Sequence, residues 1–600
     1  MEEQTKTLGK GQMLADVFPE GIPTNTIVNK TVCGIGATTL EIKAQRHSII
    51  VEPNVPVIQG KEKMHPDILA VYEGVGVPRI VQYVMETIAT NRFCKILTTP
   101  ESFHRVKRAL YKTALILKRD FFLLFDECEK LVQDVDYRSK ITLPMKTFFD
   151  CHNKAMVSAT PIPPSDERFN LQGFTTIRIV PDYHYQKPIT LLQTNNVFTL
   201  LADVLKRIPT DRKVCIFFNS TSGITRLIDR LDIKKDSSIY CSSDAAQRLT
   251  SKGYDANDTL RIEASGTVIL PKYSFFTSRF YSAVDIPLPE KPTVILLTEL
   301  YSAPHSLIDP STEAVQILGR FRNGIHQVFH IYNYNPQITT RTDDELSAYL
   351  EGQHRVYVGI YEQWKKSIDE GELAILDQTL RSVDYSRFVT ADCRKNHFMY
   401  DNAFVAEHTK WLYSDFDGTY DAYVVCGAFE VKHKYVKMNL TDKDRERLRT
   451  PRTSKTALNR IAFRIIKELK KESGKFDKEQ LMELQERFGL LIDAYDVLGE
   501  DKLRATGFNE RDIKTAIAEA KSIKEQRAPG VRNAVYLKFR EGTWYKSRDI
   551  TDGLSDIFKA YGIKTDGRGI TRKIKMYFDA SEQNHNDARG WYLGRALFKE

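Results

Sequence analysis

Two short stretches carry residue types suited to phosphate chemistry. Residues 31–42, TVCGIGATTLEI, follow a β-rich run and set Gly34 and Gly36 ahead of Ala37, Thr38 and Thr39, where a helix is expected to begin. Glycines let backbone N–H groups close around phosphate oxygens, and a threonine hydroxyl can reach a bound Mg²⁺. The standard form of such a loop has lysine where Ala37 stands, and that lysine pairs with the β- and γ-phosphates of a nucleotide. Lys30, on the preceding run, and Lys43, later in the helix, are the lysines nearby. Lys43 lies six residues past Ala37, about 240° around a helix, and is expected to point away. On the sequence neither is assigned the missing role. The second stretch, FFLLFDECEK, places Asp126 and Glu127 after five apolar residues. A buried strand ending in two acids can hold Mg²⁺ through Asp126 while Glu127 orients and deprotonates a water; the plain alternative is a strand end capped by exposed acids.

Positioning these groups requires a sheet whose strands end together. From residue 21 to 335 short β-branched or aromatic runs alternate with amphipathic stretches, the pattern of parallel α/β layers. Strands are expected at Ile27–Cys33, Ser48–Val51, Phe93–Thr98, Phe121–Phe125 and Lys154–Val157, then at Lys213–Phe218, Thr267–Leu270, Val294–Leu297 and Gln327–Tyr332. Several end in small or polar residues, where open α/β sheets present their chemistry. Pro53 and Asn54 follow the second run, Thr99, Pro100 and Glu101 the third, and Ser158, Ala159 and Thr160 the fifth. FTSRFYSAVDI (276–286) and QILGRFRNG (316–324) belong to the later series.

In this order the pieces resemble the superfamily 2 helicases, the DEAD/DEAH-like two-domain nucleic-acid motors, over residues 25–335. The resemblance implies two tandem RecA-like parallel-sheet lobes with ATP and Mg²⁺ in the cleft between them. It makes Gly34–Thr39 the phosphate loop, Asp126 with Thr38 the metal ligands, and Glu127 the base. Ser158, Ala159 and Thr160 would couple hydrolysis to strand movement, and Pro53, Thr99, Pro100 and Thr277 would touch the nucleic-acid backbone. Gln316, Arg320 and Arg322 would reach the γ-phosphate from the second lobe; arginine suits this because it stays charged and binds phosphate through two N–H groups.

The remainder is less specific. Four regions are expected: lobe 1 over 1–185, lobe 2 over 186–335, a mixed α+β region over 336–452 and a mainly helical, basic region over 453–600. A helix is read near Asp343–Tyr361, others at Asp477–Phe488, Asn509–Gln526 and Ile550–Tyr561, and a strand at Ala534–Phe539. The segment SDFDGTYD resembles the nucleophile motif of haloacid-dehalogenase phosphatases at Asp415 and Asp417, but it lies between two alternating runs and reads as a β-hairpin turn.

Composition bounds the whole. The 600 residues are 42% hydrophobic and 28% charged, without a low-complexity tract, which excludes collagen-like, coiled-coil and disordered chains. No apolar run approaches the roughly 20 residues a spanning helix needs, and the N-terminus has no apolar leader, so no membrane partner and a cytoplasmic location are expected, the host's if the source is viral. Eight cysteines without CxxC or zinc spacing read as reduced thiols. Residues 441–600 hold 35 Lys and Arg against 26 Asp and Glu, the whole of the net charge of +9. Basic side chains and aromatics interleave from Tyr536 to Tyr577, a composition suited to strands or to a winged-helix-like module. The expected function is an ATP-dependent DNA helicase or translocase of phage or mobile-element type. It would act in replication or recombination on single-stranded or branched DNA, or on RNA, beside replication proteins. Two alternatives stay open: an ATPase-dead scaffold of the same fold, favoured by Ala37, and an origin-binding adaptor led by the C-terminal region.

Overall fold

The computed structural model describes the chain apart from residues 264–266, 283–284, 391–392, 439–440, 443–453, 472–477, 566, 586 and 599–600. The expected boundary at 452/453, the helix start at Asp477 and two positions of the 276–286 segment therefore lie outside the described residues. The chain forms two units, Met1–Met438 and Asn439–Glu600.

The first unit is two RecA-like lobes in tandem, each on an eight-stranded sheet in which every pairing is parallel. Lobe 1 comprises β1 (Glu2–Leu8), β2 (Thr26–Asn29), β3 (His47–Val51), β4 (Leu69–Val71), β5 (Lys95–Thr98), β6 (Phe121–Asp126), β7 (Asn153–Ser158) and β8 (Thr175–Pro181), in the order β1-β8-β2-β7-β6-β3-β5-β4. Strand β6 shows why the sheet is buried on both faces. Its alternate residues Phe121, Leu123 and Phe125 enter one apolar core and Phe122 and Leu124 the other; each such side chain contributes about 1.5–3 kcal/mol of burial. The order also sets the site, because β2, β7 and β6 are neighbours and the residues leaving their C-terminal ends meet.

Lobe 2 comprises β9 (Lys187–Thr194), β10 (Val214–Phe217), β11 (Ser237–Tyr240), β12 (Ala256–Asn257), β13 (Tyr273–Phe276), β14 (Thr293–Thr298), β15 (Gln327–Tyr332) and β16 (Phe429–Val436), in the order β12-β11-β13-β10-β14-β15-β9-β16. Between β15 and β16 run the helices Asp343–Lys366, Glu370–Ser382, His397–Leu412 and Gly418–Cys426.

Three expectations from the sequence are corrected. Thr267–Leu270 is not a strand: Val268 makes an isolated bridge to Ile262, and the sheet takes Tyr273–Phe276, which pairs with β10 and β11. The hairpin at Asp417 is instead a helix–turn–helix passage. Asp415 accepts the Asp417 N–H at 3.0 Å, and a helix runs from Gly418 to Cys426 before closing on the left-handed Gly427. There Gly418 lies so near the Leu412 carbonyl that a Cβ would sit 2.7 Å from its oxygen. Residues 534–538, read as strand, belong to the helix Pro529–Lys538, which Pro529 opens and whose Val531 and Val535 bury one turn apart.

In the second unit the helices Lys455–Lys471, Lys478–Ala505 and Glu510–Gln526 share an apolar core that includes Ile461, Leu491, Leu503 and Ile513. After the helix Pro529–Lys538 come β17 (Thr543–Lys546), a helix Ser547–Ala560, the turns Thr571–Met576, β18 (Phe578–His585) and β19 (Ala588–Ala596). These three strands form an antiparallel sheet in the order β17-β19-β18. The eight cysteines are all free thiols, and no described helix is long and apolar enough to cross a membrane.

Candidate active site between the two lobes

The loop after β2 is shaped by backbone that few residues adopt. Gly34 and Gly36 have φ of +83° and +86°, and Thr31, a β-branched residue, has φ +58°. The helix that follows, Ala37–Lys43, makes its first backbone bond from Leu40 to Gly36 at 2.9 Å, which leaves the preceding amides without a helical acceptor. Thr38 Oγ1 donates to Asp126 Oδ2 at 2.5 Å, tying the loop to the end of β6. Ala37 is 3% exposed and shares a core with Leu14, Ile35 and Leu40.

Beyond Asp126 the chain turns sharply. Glu127 has φ +50°, and its N–H donates to Asp126 Oδ1 at 3.0 Å. That turn brings the Glu127 carboxylate back over the sheet edge toward Lys30, the first residue past β2. Lys30 Nζ lies 3.5 Å from Asp126 Oδ1 and 3.6 Å from Glu127 Oε1. Burial opposes the Lys30 charge, but Glu127 and Asp126 outweigh it and hold the ammonium above its ordinary range. Burial would likewise raise the Glu127 carboxyl; Lys30 and Arg320 win and keep it below its ordinary value. For Glu129, burial together with Glu127 outweighs Lys130 and Lys30 and pushes the carboxyl up to about 8.

Lobe 2 closes the site with the short helix Val315–Gly319. Gln316 Nε2 donates to Thr160 Oγ1 at 3.0 Å, Glu129 Oε1 at 3.2 Å and Glu127 Oε2 at 3.4 Å. Arg320, 4% exposed, donates from Nη2 to Gln316 Oε1 at 2.6 Å and lies 3.8 Å from Glu127 Oε1. Arg322 pairs with Asp285 at 2.9 Å, and its Nη1 is 2.2 Å from where a Cβ on Gly34 would sit. Ser158, Ala159 and Thr160 lie between the two halves. Ser158 accepts the Lys30 N–H at 2.7 Å through its carbonyl and the Thr160 N–H at 2.9 Å through Oγ. A cleft of 400 Å³ is lined by Lys30, Gly34, Gly36, Ala37, Thr38, Thr39, Asp126, Glu127, Arg320 and Arg322 among others.

A second cleft, of 820 Å³, opens between the lobes. Pro53 and Thr277 line it with Asn219, Lys130, Arg138, Arg248 and Arg279. Thr99 and Pro100 are not on its wall. Both are buried at the end of β5, where the Thr99 N–H donates to the Val71 carbonyl at 3.2 Å. Their neighbour Glu101 reaches the cleft indirectly, holding Arg138 at 2.6 and 2.8 Å while Arg138 donates to the Pro53 carbonyl.

The structure thus brings together Gly34, Gly36, Ala37, Thr38, Asp126, Glu127, Ser158, Thr160, Gln316, Arg320 and Arg322, and it adds Lys30. The one available signal for Lys30 was a basic residue just before a glycine-rich turn; its reach to Asp126 depends on β2 and β6 standing two strands apart in the sheet.

No protein-family model matches the chain, and no curated protein matches it. Solved structures do. S. cerevisiae Dbp5 bound to RNA and ADP BeF3 is 16% identical, over 52% of this chain and 79% of its own, with a TM-score of 0.33. A DEAD box protein from Methanococcus jannaschii is 14% identical over 52% of this chain and 82% of its own, at a TM-score of 0.27. An ATP-dependent Type ISP restriction-modification enzyme, LlaBIII, bound to DNA is 10% identical over 94% of this chain and 40% of its own, at 0.36.

Proposed function

We propose that the chain is an ATP-dependent nucleic-acid motor of superfamily 2 type, acting on DNA as a helicase or translocase in replication or recombination. The observation that carries this reading is the reach of Gln316 and Arg320 from lobe 2 to Thr160, Glu129 and Glu127 on lobe 1. Groups suited to reading and cleaving a triphosphate come from both lobes, so hydrolysis and lobe movement would depend on one another.

In this reading the phosphates of ATP lie along residues 34–38. Thr38 and Asp126 offer two hard oxygens 2.5 Å apart, a donor pair suited to Mg²⁺ completed by phosphate oxygens and water. Bound there, Mg²⁺ would neutralise charge on the β- and γ-phosphate oxygens. Glu127 takes the proton of the attacking water as the water oxygen bonds the γ-phosphorus and the bond to the β–γ bridging oxygen breaks. Arg320 and Arg322 offset the charge that develops. Ser158, Ala159 and Thr160 pass the state of the site to the nucleic-acid cleft, where Pro53, Thr277 and the basic side chains hold a single or branched strand by its phosphates. In the second unit the exposed Arg572 and Lys575, with Lys575 Nζ 5.1 Å from the Trp591 ring centre, support a role in gripping nucleic acid.

Ala37 favours a second reading, a scaffold that binds without hydrolysing. Steady-state ATP hydrolysis with Mg²⁺, alone and with single-stranded DNA or RNA, separates the two. The motor reading expects turnover stimulated by a polymer and reduced about 10²–10⁴-fold in Glu127→Gln; no turnover with strand binding retained selects the scaffold.

A further inference from the structure

We propose that Lys30 is the phosphate-binding lysine of this site, delivered from the strand end below the loop instead of from the first turn of the helix above it. The inference rests on the reading of the cleft as a nucleoside triphosphate site and names the residue that meets the terminal phosphates there.

The place usually given to this lysine holds no cation. Ala37, 3% exposed, belongs to the apolar core of Leu14, Ile35 and Leu40, and a four-carbon stem there would have to displace part of that core or enter the cleft that Ala37 also borders. Lys30 approaches the same cleft from the other side. Its N–H donates to Ser158, its carbonyl accepts from the Val32 N–H at 2.6 Å, and the left-handed Thr31 between them turns the loop sharply away from the strand. A β-branched residue persists in that conformation only where the surroundings hold it. The two backbone bonds at Lys30 and this turn set where its side chain emerges.

The ammonium then lies between the proposed metal ligand and the proposed base, with the side chain 7% exposed. Attack by a water held on Glu127 requires the terminal phosphate to sit beside Glu127, within reach of a charge on a flexible stem at 3.6 Å from that carboxylate. Lys61, which also lines the cleft, donates to Thr39 Oγ1 at 3.1 Å, whereas Lys30 is the lysine that faces Asp126 and Glu127. Lys61 is therefore the natural comparison.

Equilibrium titration of the full chain with fluorescent adenosine triphosphate and diphosphate in Mg²⁺ tests the assignment. The Glu127→Gln background prevents turnover and removes one of the two buried carboxylates that Lys30 faces, so that Lys30→Met leaves less uncompensated negative charge. Thermal melting checks folding. In that background Lys30→Met is expected to weaken the triphosphate at least tenfold, about 1.4 kcal/mol, and the diphosphate less than threefold; Lys61→Met is expected to change the ratio of the two affinities less than threefold. Equal triphosphate affinity with and without Lys30 overturns the assignment while leaving the site standing. A Glu127→Gln parent that binds neither nucleotide overturns the triphosphate site, and the assignment with it.

Discussion

Gln316 Nε2 donates to Thr160 Oγ1 across 3.0 Å, and through that bond a helix of lobe 2 is held to the turn that follows β7 of lobe 1. The same amide serves Glu129 and Glu127, and its oxygen receives Arg320. Gln316→Leu removes every one of these bonds and leaves buried partners unsatisfied, at about 1–3 kcal/mol each. Hydrolysis is expected to fall about 10–100-fold with nucleotide affinity changed much less, a split that kcat and a separate binding titration would reveal.

Gly34 and Arg322 make a second inter-lobe contact, which a methyl group on Gly34 would push apart. Gly34→Ala places a Cβ 2.2 Å from Arg322 Nη1 and forces alanine into φ +83°. We expect loss of nucleotide-stimulated lobe closure, read as a change in small-angle scattering, while the melting temperature shifts by only a few degrees. Closure indistinguishable from wild type would remove Arg322 from the site.

Replacing Ala37 by lysine tests the loop from its usual side. Because Lys30 already supplies the charge and position 37 is packed, Ala37→Lys is expected to raise kcat no more than about twofold and to cost about 1–3 kcal/mol of stability from overpacking. A tenfold gain in turnover would count against Lys30.

His330 gives lobe 2 an acid sensitivity of its own. Burial pushes its imidazole down from 6.5 to about 3, and the ring lies between Thr298 Oγ1 at 3.2 Å and the Tyr423 hydroxyl at 2.9 Å. Between those values the unfolded chain binds a proton that the folded chain refuses. The stabilising contribution is therefore complete above pH 6.5 and is lost as pH falls toward 3, at about 1.4 kcal/mol per pH unit. Urea unfolding at pH 7.5, 6 and 5 should show this slope in wild type and a shallower one in His330→Gln.

Arg572 and Lys575 bear on the second unit. If they hold phosphates, replacing both with alanine weakens strand binding to a similar extent for all sequences and lowers the slope of log affinity against log salt by about 1–2. Fluorescence anisotropy across a salt series measures both, and an unchanged slope excludes these side chains from the contact.

Much of lobe 1 was legible in the chain because its signals are local. FFLLFD, apolar at successive positions, suits a strand buried on both faces, and the polar residues that end β3, β6 and β7 follow directly from where the apolar runs stop. The motifs carried by Gly34, Asp126, Ser158 and Gln316 could be placed on strand ends and on a helix without knowing how those elements neighbour one another. Where alternation is short, local signals misled: residues 534–538 and the run after Asp417 alternate like strands, yet tertiary packing of Val535 and Tyr423 holds them as helix.

Lys30 marks the boundary between the two kinds of information. In sequence it is 96 residues from Asp126 and one residue past a strand, with no periodicity to single it out. Its function as a partner of Asp126 and Glu127 arises from the order β2-β7-β6, which sets two strand ends within a lysine's reach, and from Glu127's left-handed backbone, which turns a carboxylate back across that gap. Residue types and their spacing put the glycine-rich loop and the paired acids at the ends of parallel strands. Only the sheet order and the closure of the second lobe decided which charges meet there, because electrostatic contacts between distant segments depend on distances that no local pattern encodes.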